Sequence, residues 1–200
     1  MNHCSQCGAP LSQAVPPGDD RPRHVCTACD TVHYVNPKTV VGCLVEHDGA
    51  VLLCKRAIEP AHGGWTLPAG FLELEESLAA GAARETWEEA RARVEIVAPL
   101  ALFDLPHIGQ NYVLFRARFA GDVTFEAGPE SLDVRLARPD DIPWSDLAFP
   151  VMHVALRAWL EDVERGRQTL RSAALQWRGT GSRFDPEQYD LVDLLETPLG

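Results

Sequence analysis

Long apolar stretches are missing from this sequence. No run approaches the roughly 20 apolar residues that a membrane-spanning helix needs, so we expect that this chain is not a membrane protein. The first residues, MNHCSQCG, lack the basic and apolar regions of a targeting peptide, and Cys4 arrives too early for a cleaved segment to precede it. We therefore expect a cytoplasmic location.

Positive charge is also scarce. The chain has 18 Lys and Arg residues against 29 Asp and Glu residues, which gives a formal net charge of −11. Its long-range field would repel a polyanion, so nucleic-acid binding is disfavoured and a small-molecule partner is favoured. The acidity suits a protein that meets an anionic substrate through divalent cations, although acidity can also serve solubility alone.

The 200 residues are enough for one medium-sized domain and a small appendage. Four of the six cysteines fall within residues 1–35, and apolar segments begin after an Asn-Pro break. We expect a small module over residues 1–35, a main domain over residues 36–178 and a weakly ordered acidic tail over residues 179–200. A short helix is expected in the tail near Asp185–Leu195.

The cysteines of the N-terminal module form two C-x-x-C pairs with 18 residues between them. They are Cys4, Cys7, Cys26 and Cys29. This spacing is typical of a tetrahedral zinc site. Two disulfides are the alternative, but Cys43 and Cys54 stay unpaired in apolar segments, as expected in a reducing compartment. We predict a zinc ribbon with a structural or interface role, because it has few basic and aromatic residues for nucleic acid.

Hydrophobic patterning in the main domain predicts strands, a helix, further strands and a second helix. The predicted strands cover residues 39–45, 51–54, 94–103, 111–119 and 132–137, and the predicted helices cover residues 77–93 and 151–164. This order lacks a regular strand-helix-strand repeat. It predicts a mixed α/β domain of the α+β type.

The first predicted helix carries three glutamates on one face. At 100° per residue, Glu85, Glu88 and Glu89 fall within about 100° of one another, opposite a core face that includes Trp87. Crowded carboxylates destabilise a helix unless a positive group neutralises them. Oxygen ligands of this kind select hard ions such as Mg²⁺ or Mn²⁺. The alternative is a solvated acidic face balanced by neighbouring arginines.

This stretch resembles the Nudix box, G-x5-E-x7-R-E-U-x-E-E-x-G-U, where U is an apolar residue. The match covers Gly70, Glu76, Arg84, Glu85, Glu88 and Glu89. The departures are Thr86 and Ala92 at apolar positions, and Arg91 at the position of the second glycine. They lie off the metal face, so we expect catalysis to tolerate them and Arg91 to alter the turn that ends the helix.

The resemblance implies a mixed β-sheet sandwiched between helices, and attack by water on a diphosphate phosphorus. By position, the three helix glutamates would ligate Mg²⁺ or Mn²⁺ together with the carbonyl of Ala69. Arg84 and Glu76 would orient these ligands, and Gly70 would be structural. Glu130, in a Gly-Pro-Glu-Ser loop, is our candidate for a general base, with an ordinary loop acid as the alternative.

Four residues are candidates for substrate contacts, namely Arg56, Trp65, Phe103 and Tyr112. An arginine at a strand end can bind phosphate bidentately, and aromatic rings can stack against adenine. The alternatives are a solvated cation for the arginine and core packing for each ring.

The strings NPK-x-VVGC, VLLCKR and GPESL resemble a ribbon-bearing Nudix subgroup that includes the plant plastidial pyrophosphatases acting on FAD and ADP-ribose. The S-Q-P-W-P-F-P motif of NADH pyrophosphatases is missing. The resemblance implies hydrolysis of FAD to FMN and AMP, or of ADP-ribose, by a homodimer. The alternatives are hydrolysis of NADH or dinucleoside polyphosphates, and a non-catalytic nucleotide sensor whose ribbon contacts protein or DNA.

Overall fold

The computed structural model describes residues 1–199 and divides into two compact units, Met1–Pro37 and a second unit that begins at Lys38. No helix among the described residues is long and apolar enough to cross a membrane.

The N-terminal unit is a three-stranded antiparallel sheet. Its strands are β1 (Leu11–Ala14), β2 (Arg23–Cys26) and β3 (Val32–His33), in the order β1-β2-β3. The unit has almost no apolar core, and two of the cysteines are its buried hydrophobic residues. A module of this size needs a metal or cross-links for stability, and the cysteine cluster described below provides the ligands for one.

The second unit is built on one large mixed sheet. Its strands are β4 (Lys38–His47), β5 (Ala50–Arg56), β6 (Trp65–Thr66), β7 (Ala69–Phe71), β8 (Val94–Leu105), β9 (Gln110–Phe119), β10 (Ser131–Ala137), β11 (Thr169–Trp177) and β12 (Tyr189–Pro198). The main order is β10-β5-β4-β9-β8-β11-β12, with β6 on β5 and β7 on β4. The pairs β4–β9 and β8–β11 are parallel and the others are antiparallel.

Two helices cover the two faces of this sheet. Helix α1 (Leu78–Ala90) packs on the face that carries Val41 and Val45, and helix α2 (Pro150–Arg165) packs on the face that carries Val40 and Leu44. Because successive side chains of a strand point to opposite faces, β4 contributes to both cores. The prediction of a mixed sheet between helices is confirmed.

Helix α1 begins at a side-chain cap, since the Ser77 hydroxyl accepts a hydrogen bond from the Ala80 N–H at 3.2 Å. Its buried stripe includes Ala82, Thr86 and Ala90. The predicted core face was right at Ala90 and wrong at Trp87, which is 39% exposed. Small residues face β4 instead, and they let the helix backbone approach the strand closely.

The helix ends in a left-handed turn. Arg91 has φ 50° and ψ 20°, and its N–H donates to the Trp87 carbonyl. This is the conformation that glycine adopts with least strain at a helix end. The expectation that Arg91 would alter the turn is wrong, since the arginine adopts the conformation suited to a glycine.

The C-terminal segment also differs from its prediction. Residues Tyr189–Pro198 form an edge strand that pairs antiparallel with β11, after a 3₁₀ turn at Pro186–Gln188. The expectation of a weakly ordered tail with a short helix is therefore wrong for this segment. The pairing of β12 with β11 determines the structure of this segment, and the local composition of the segment does not show such pairing.

Candidate functional site

Two glycines set the distance between helix α1 and the segments that precede it. Gly70 lies in β7 opposite Val41 of β4, and a Cβ atom there would overlap the Glu85 carboxylate. A Cβ atom at Gly81 would lie 2.8 Å from Glu76 Oε1. Both positions therefore need glycine for the carboxylates to lie this close to the backbone.

Arg84 is the centre of a hydrogen-bond network in the site. Its guanidinium donates to both oxygens of Glu76, at 3.0 and 2.8 Å, and to the Phe71 carbonyl at 3.1 Å. The same group donates to Glu85 at 2.7 Å and to Glu88 at 2.9 Å. The hydrogen bond with Arg84 lowers the pKa of Glu76 to about 2. Arg84 thus contacts three carboxylates at once, and its role in orienting metal ligands stays a prediction.

Glu89 is the most buried of the helix glutamates, with 5% of its surface exposed. One of its oxygens accepts a hydrogen bond from the Ala69 N–H at 3.1 Å. Burial raises the pKa of Glu89 to about 8, and the charge of Glu85 adds to this effect. Burial also raises the pKa of Glu85. Ionised carboxylates are costly in such a place unless a cation compensates them.

These carboxylates line a cavity of about 840 Å³ in the second unit. Its wall includes Glu85, Glu88, Glu89 and Glu130. The loop that carries Glu130 is pressed against the end of α1, because the Gly128 N–H donates to the Glu89 carbonyl at 2.9 Å. The predicted general base and the predicted metal ligands therefore share one cavity.

The donor set of the helix fits a hard divalent cation. Within residues 1–199, Glu85, Glu88 and Glu89 each keep one carboxylate oxygen without a hydrogen bond to protein. Their oxygens do not form a compact cluster of the kind found in the ribbon, because an Arg84 nitrogen lies between Glu85 and Glu88. Ala69 also lines the cavity, and the role of its carbonyl as a ligand stays a prediction.

The four candidates for substrate contacts fall into two groups. Arg56 and Tyr112 line the cavity. The Arg56 guanidinium lies 5.0 Å from the centre of the Phe149 ring, and burial raises the pKa of Tyr112 to about 12. Trp65 and Phe103 are buried in the core under α2. The prediction that these two rings stack against adenine is wrong, because packing covers them.

Several cavity residues were missed in the sequence. Phe149 directly precedes helix α2, and His107 lies in a turn between β8 and β9. The C-terminal segment contributes Arg183, Phe184 and Tyr189. No local motif marks them. The pairing of β11 with β8 and β12 brings the C-terminal segment to the cavity.

The ribbon cysteines form a second site, within the N-terminal unit. Their four sulfur atoms all lie within 4.8 Å of one another. Cys7 Sγ lies 3.4 Å from Cys26 Sγ and 3.5 Å from Cys29 Sγ, and Cys4 Sγ lies 3.8 Å from Cys29 Sγ. A tetrahedron with Zn–S bonds of about 2.3 Å has S–S edges of about 3.8 Å. The cluster therefore fits structural zinc.

Comparison with protein-family profiles gives two matches along the chain. The Nudix N-terminal zinc-ribbon profile matches residues 2–35, and the NUDIX domain profile matches residues 36–160. The second match alone covers more than half of the chain, and it contains the whole carboxylate helix.

A crystal structure of a NUDIX hydrolase from Nitrosomonas europaea is 50% identical, with a TM-score of 0.83, and covers 87% of this chain and 98% of that one. A MutT-like protein of Streptomyces ambofaciens is 36% identical over 52% of this chain and 65% of that protein. The NAD-capped RNA hydrolase NudC of Chromobacterium violaceum is 35% identical over 77% of this chain and 56% of that protein. The chain thus spans less than two thirds of either curated relative.

Proposed function

The chain belongs to the Nudix family, and we propose that it is a divalent-metal-dependent pyrophosphohydrolase of a nucleoside diphosphate linked to another group. FAD and ADP-ribose are the first candidate substrates, with AMP as the common product. The observation that carries this proposal is the convergence of four carboxylates, three from α1 and Glu130 from a loop, on one large cavity.

The burial of Glu89 argues for a catalytic metal site and against a nucleotide sensor without catalysis. A carboxylate with a pKa raised to about 8 lowers the stability of the folded protein when it ionises. Such a group is tolerated where a cation compensates its charge. A sensor could bind a nucleotide with arginines and aromatic rings alone.

Each polar residue then has a defined task. A divalent cation bound here would neutralise phosphate oxygens and promote attack by water. Glu85, Glu88, Glu89 and the Ala69 carbonyl would hold it. Arg84, fixed by Glu76, orients the ligands, and the Glu130 carboxylate would accept a proton from the attacking water.

The remaining groups of the cavity bear on the substrate. Arg56 is mostly buried and lies in the same wall as the carboxylates, so its fixed charge suits a diphosphate. The likeness to NudC, whose name describes an NAD-capped RNA hydrolase, favours a second candidate class of substrates in which the diphosphate links an NAD moiety. The identity of the cation as Mg²⁺ or Mn²⁺, a homodimeric state and a cytoplasmic location stay predictions.

A substrate panel tests the proposal. The protein is incubated with Mg²⁺ or Mn²⁺ and with FAD, ADP-ribose, NADH or diadenosine polyphosphates, and the products are identified by mass. We expect AMP with FMN from FAD, or AMP with ribose 5-phosphate from ADP-ribose. No turnover of any compound, together with tight binding of one of them, would support the sensor.

The matched variants are Glu88→Gln and Glu164→Gln. Glu88 faces the cavity, whereas Glu164 is an exposed residue of α2. Loss of a metal ligand is expected to lower kcat at least 100-fold, and the control should keep wild-type activity. Unchanged turnover by Glu88→Gln would refute the metal-site assignment.

A further inference from the structure

The C-terminal hairpin, formed by β11, β12 and the connection over residues 178–188, lies outside the matched NUDIX domain, which ends at residue 160. It nonetheless supplies part of the cavity wall, through Arg183, Phe184 and Tyr189. This chain therefore completes its cavity with an element beyond the region that the domain profile covers.

Phe184 is an exposed aromatic residue that lies against another aromatic ring in the wall of this cavity. Its side chain lies in the cavity wall although 47% of its surface is exposed. Its ring centre lies 6.3 Å from that of Phe149, and the two planes differ by 40°. A planar base between two rings needs a separation of about 7 Å, twice the ~3.4 Å spacing of stacked bases. The two rings must therefore move apart by about 0.7 Å and become more nearly parallel before a base can stack between them.

The connection is held in place by several hydrogen bonds. The Tyr189 hydroxyl donates to the Arg183 carbonyl at 2.9 Å and contacts His107 Nε2 at 3.1 Å. Arg178 donates to the Glu187 carbonyl at 2.9 Å. The Arg183 guanidinium lies 4.8 Å from the centre of a neighbouring tryptophan ring. Phe184 is thus presented by a hydrogen-bonded segment, in which the shift needed to admit a base is a local one at the Phe184 ring and its neighbours.

From this geometry we propose that Phe184 and Phe149 form a nucleobase subsite, in which the base of the substrate nucleotide stacks between the two rings. The proposal rests on the proposed function for its choice of ligand class. The carboxylates and the two rings line the same cavity, so one nucleotide can reach both. The Arg56 guanidinium over the Phe149 ring adds a positive charge beside the base and its phosphate.

Binding of nucleotide fragments tests the subsite without catalysis. AMP carries the base, and ribose 5-phosphate lacks it. Calorimetry on the full chain should show that Phe184→Ala raises the Kd of AMP about 10-fold or more, while the Kd of ribose 5-phosphate stays unchanged. Phe184→Tyr should restore AMP affinity, because a second flat ring replaces the first.

The control variant is Leu195→Ala, an exposed residue of the same hairpin that is not among the cavity-lining residues. It should bind AMP as the wild type does. In turnover assays, Phe184→Ala should raise KM for ADP-ribose or FAD about 10-fold or more and leave kcat within about twofold. Thermal unfolding checks that both variants fold.

The outcomes separate this proposal from the proposed function. If the wild type hydrolyses no substrate but binds AMP through Phe184, the function fails and the subsite stands. If turnover requires Glu88 but Phe184→Ala leaves the affinity for AMP unchanged, the proposed subsite is refuted and the proposed function is retained. Absence of AMP binding by the wild type, or equal weakening of both fragments by Phe184→Ala, would overturn the subsite.

Discussion

The buried ion pairs of Asp162 make a strong prediction about stability. This carboxylate, on α2, lies between Arg116 of β9 and Arg171 of β11, and all three side chains are at most 5% exposed. Asp162 pairs with Arg171 at 2.9 Å and with Arg116, and it accepts the Thr169 N–H at 2.9 Å. One residue thus ties α2 to the start of the C-terminal hairpin and to the centre of the sheet.

Asp162→Asn keeps the shape of the side chain and removes its charge. Arg171 would keep its partner Glu196 at 2.9 Å, but Arg116 has no other ion pair among the described residues. Leaving one charge of a buried pair uncompensated costs about 3–5 kcal/mol. For a protein of this size that corresponds to a fall in Tm of about 6–20 °C.

Urea unfolding followed by circular dichroism measures the effect. The matched control is Asp190→Asn, since Asp190 pairs with Arg178 at 2.6 Å where both side chains are 52% exposed. An exposed pair contributes at most about 1 kcal/mol. Similar decreases in the free energy of unfolding for Asp162→Asn and Asp190→Asn would refute the reasoning.

The pH dependence gives a second check. Burial acts to raise the pKa of Asp162, but the hydrogen bond and charge of Arg171 outweigh it and hold the folded-state pKa below the ordinary value of 3.8. The stabilisation is therefore fully present above pH 3.8 and is lost as the pH falls through the folded-state value. The difference in stability between wild type and Asp162→Asn should be constant from pH 7 to about pH 4, and should shrink below it.

Three further predictions concern the site and the ribbon. Gly70→Ala should push the Glu85 carboxylate aside and lower kcat about 100-fold. The control is Gly121→Ala, in which the added Cβ would meet no other atom, so this variant should lose stability and keep its kcat. Equal kcat values for the two variants would contradict this prediction. Arg91→Gly should raise the free energy of unfolding, measured with urea, by about 0.5 kcal/mol. The substitution relieves the strain of a left-handed backbone conformation, which costs about 1 kcal/mol. It also removes an exposed contact between the arginine and the Trp87 ring, which contributes about 0.5 kcal/mol. A strong chelator should release one zinc per chain and unfold the ribbon, which hydrogen exchange would detect; full protection without zinc would count against the site.

The carboxylate helix was predictable because its information is local. Ser77 marks its start, and the spacing of the glutamates puts them on one face whatever the rest of the chain does. The C-x-x-C pairs are equally local. Both motifs specify chemistry through short separations in sequence, and for this reason the sequence identifies them.

The core face of the same helix was not predictable from hydrophobicity. A close approach between α1 and β4 requires small residues, and the thiol of Cys43 on β4 lies 3.4 Å from the Ala82 carbonyl. There is no room for Trp87 in that contact, so it points outward and packs under Arg91 and Arg93. The density of packing in the interior decides which side chains of α1 face the sheet, and the hydrophobicity of the residues does not reveal it.

The C-terminal hairpin shows the limit of local reasoning in a way that bears on function. Its strand β12 carries acidic residues and an irregular pairing near Ala174, so its pattern lacks the alternation of a core strand. What fixes it is the parallel pairing of β11 with β8 and the buried charge of Asp162. If the hairpin forms the nucleobase subsite, affinity depends on contacts far from the carboxylates that carry out the reaction. Substitutions in the hairpin should then change the KM values of different nucleotides, while the rate of the chemical step depends on the residues of α1.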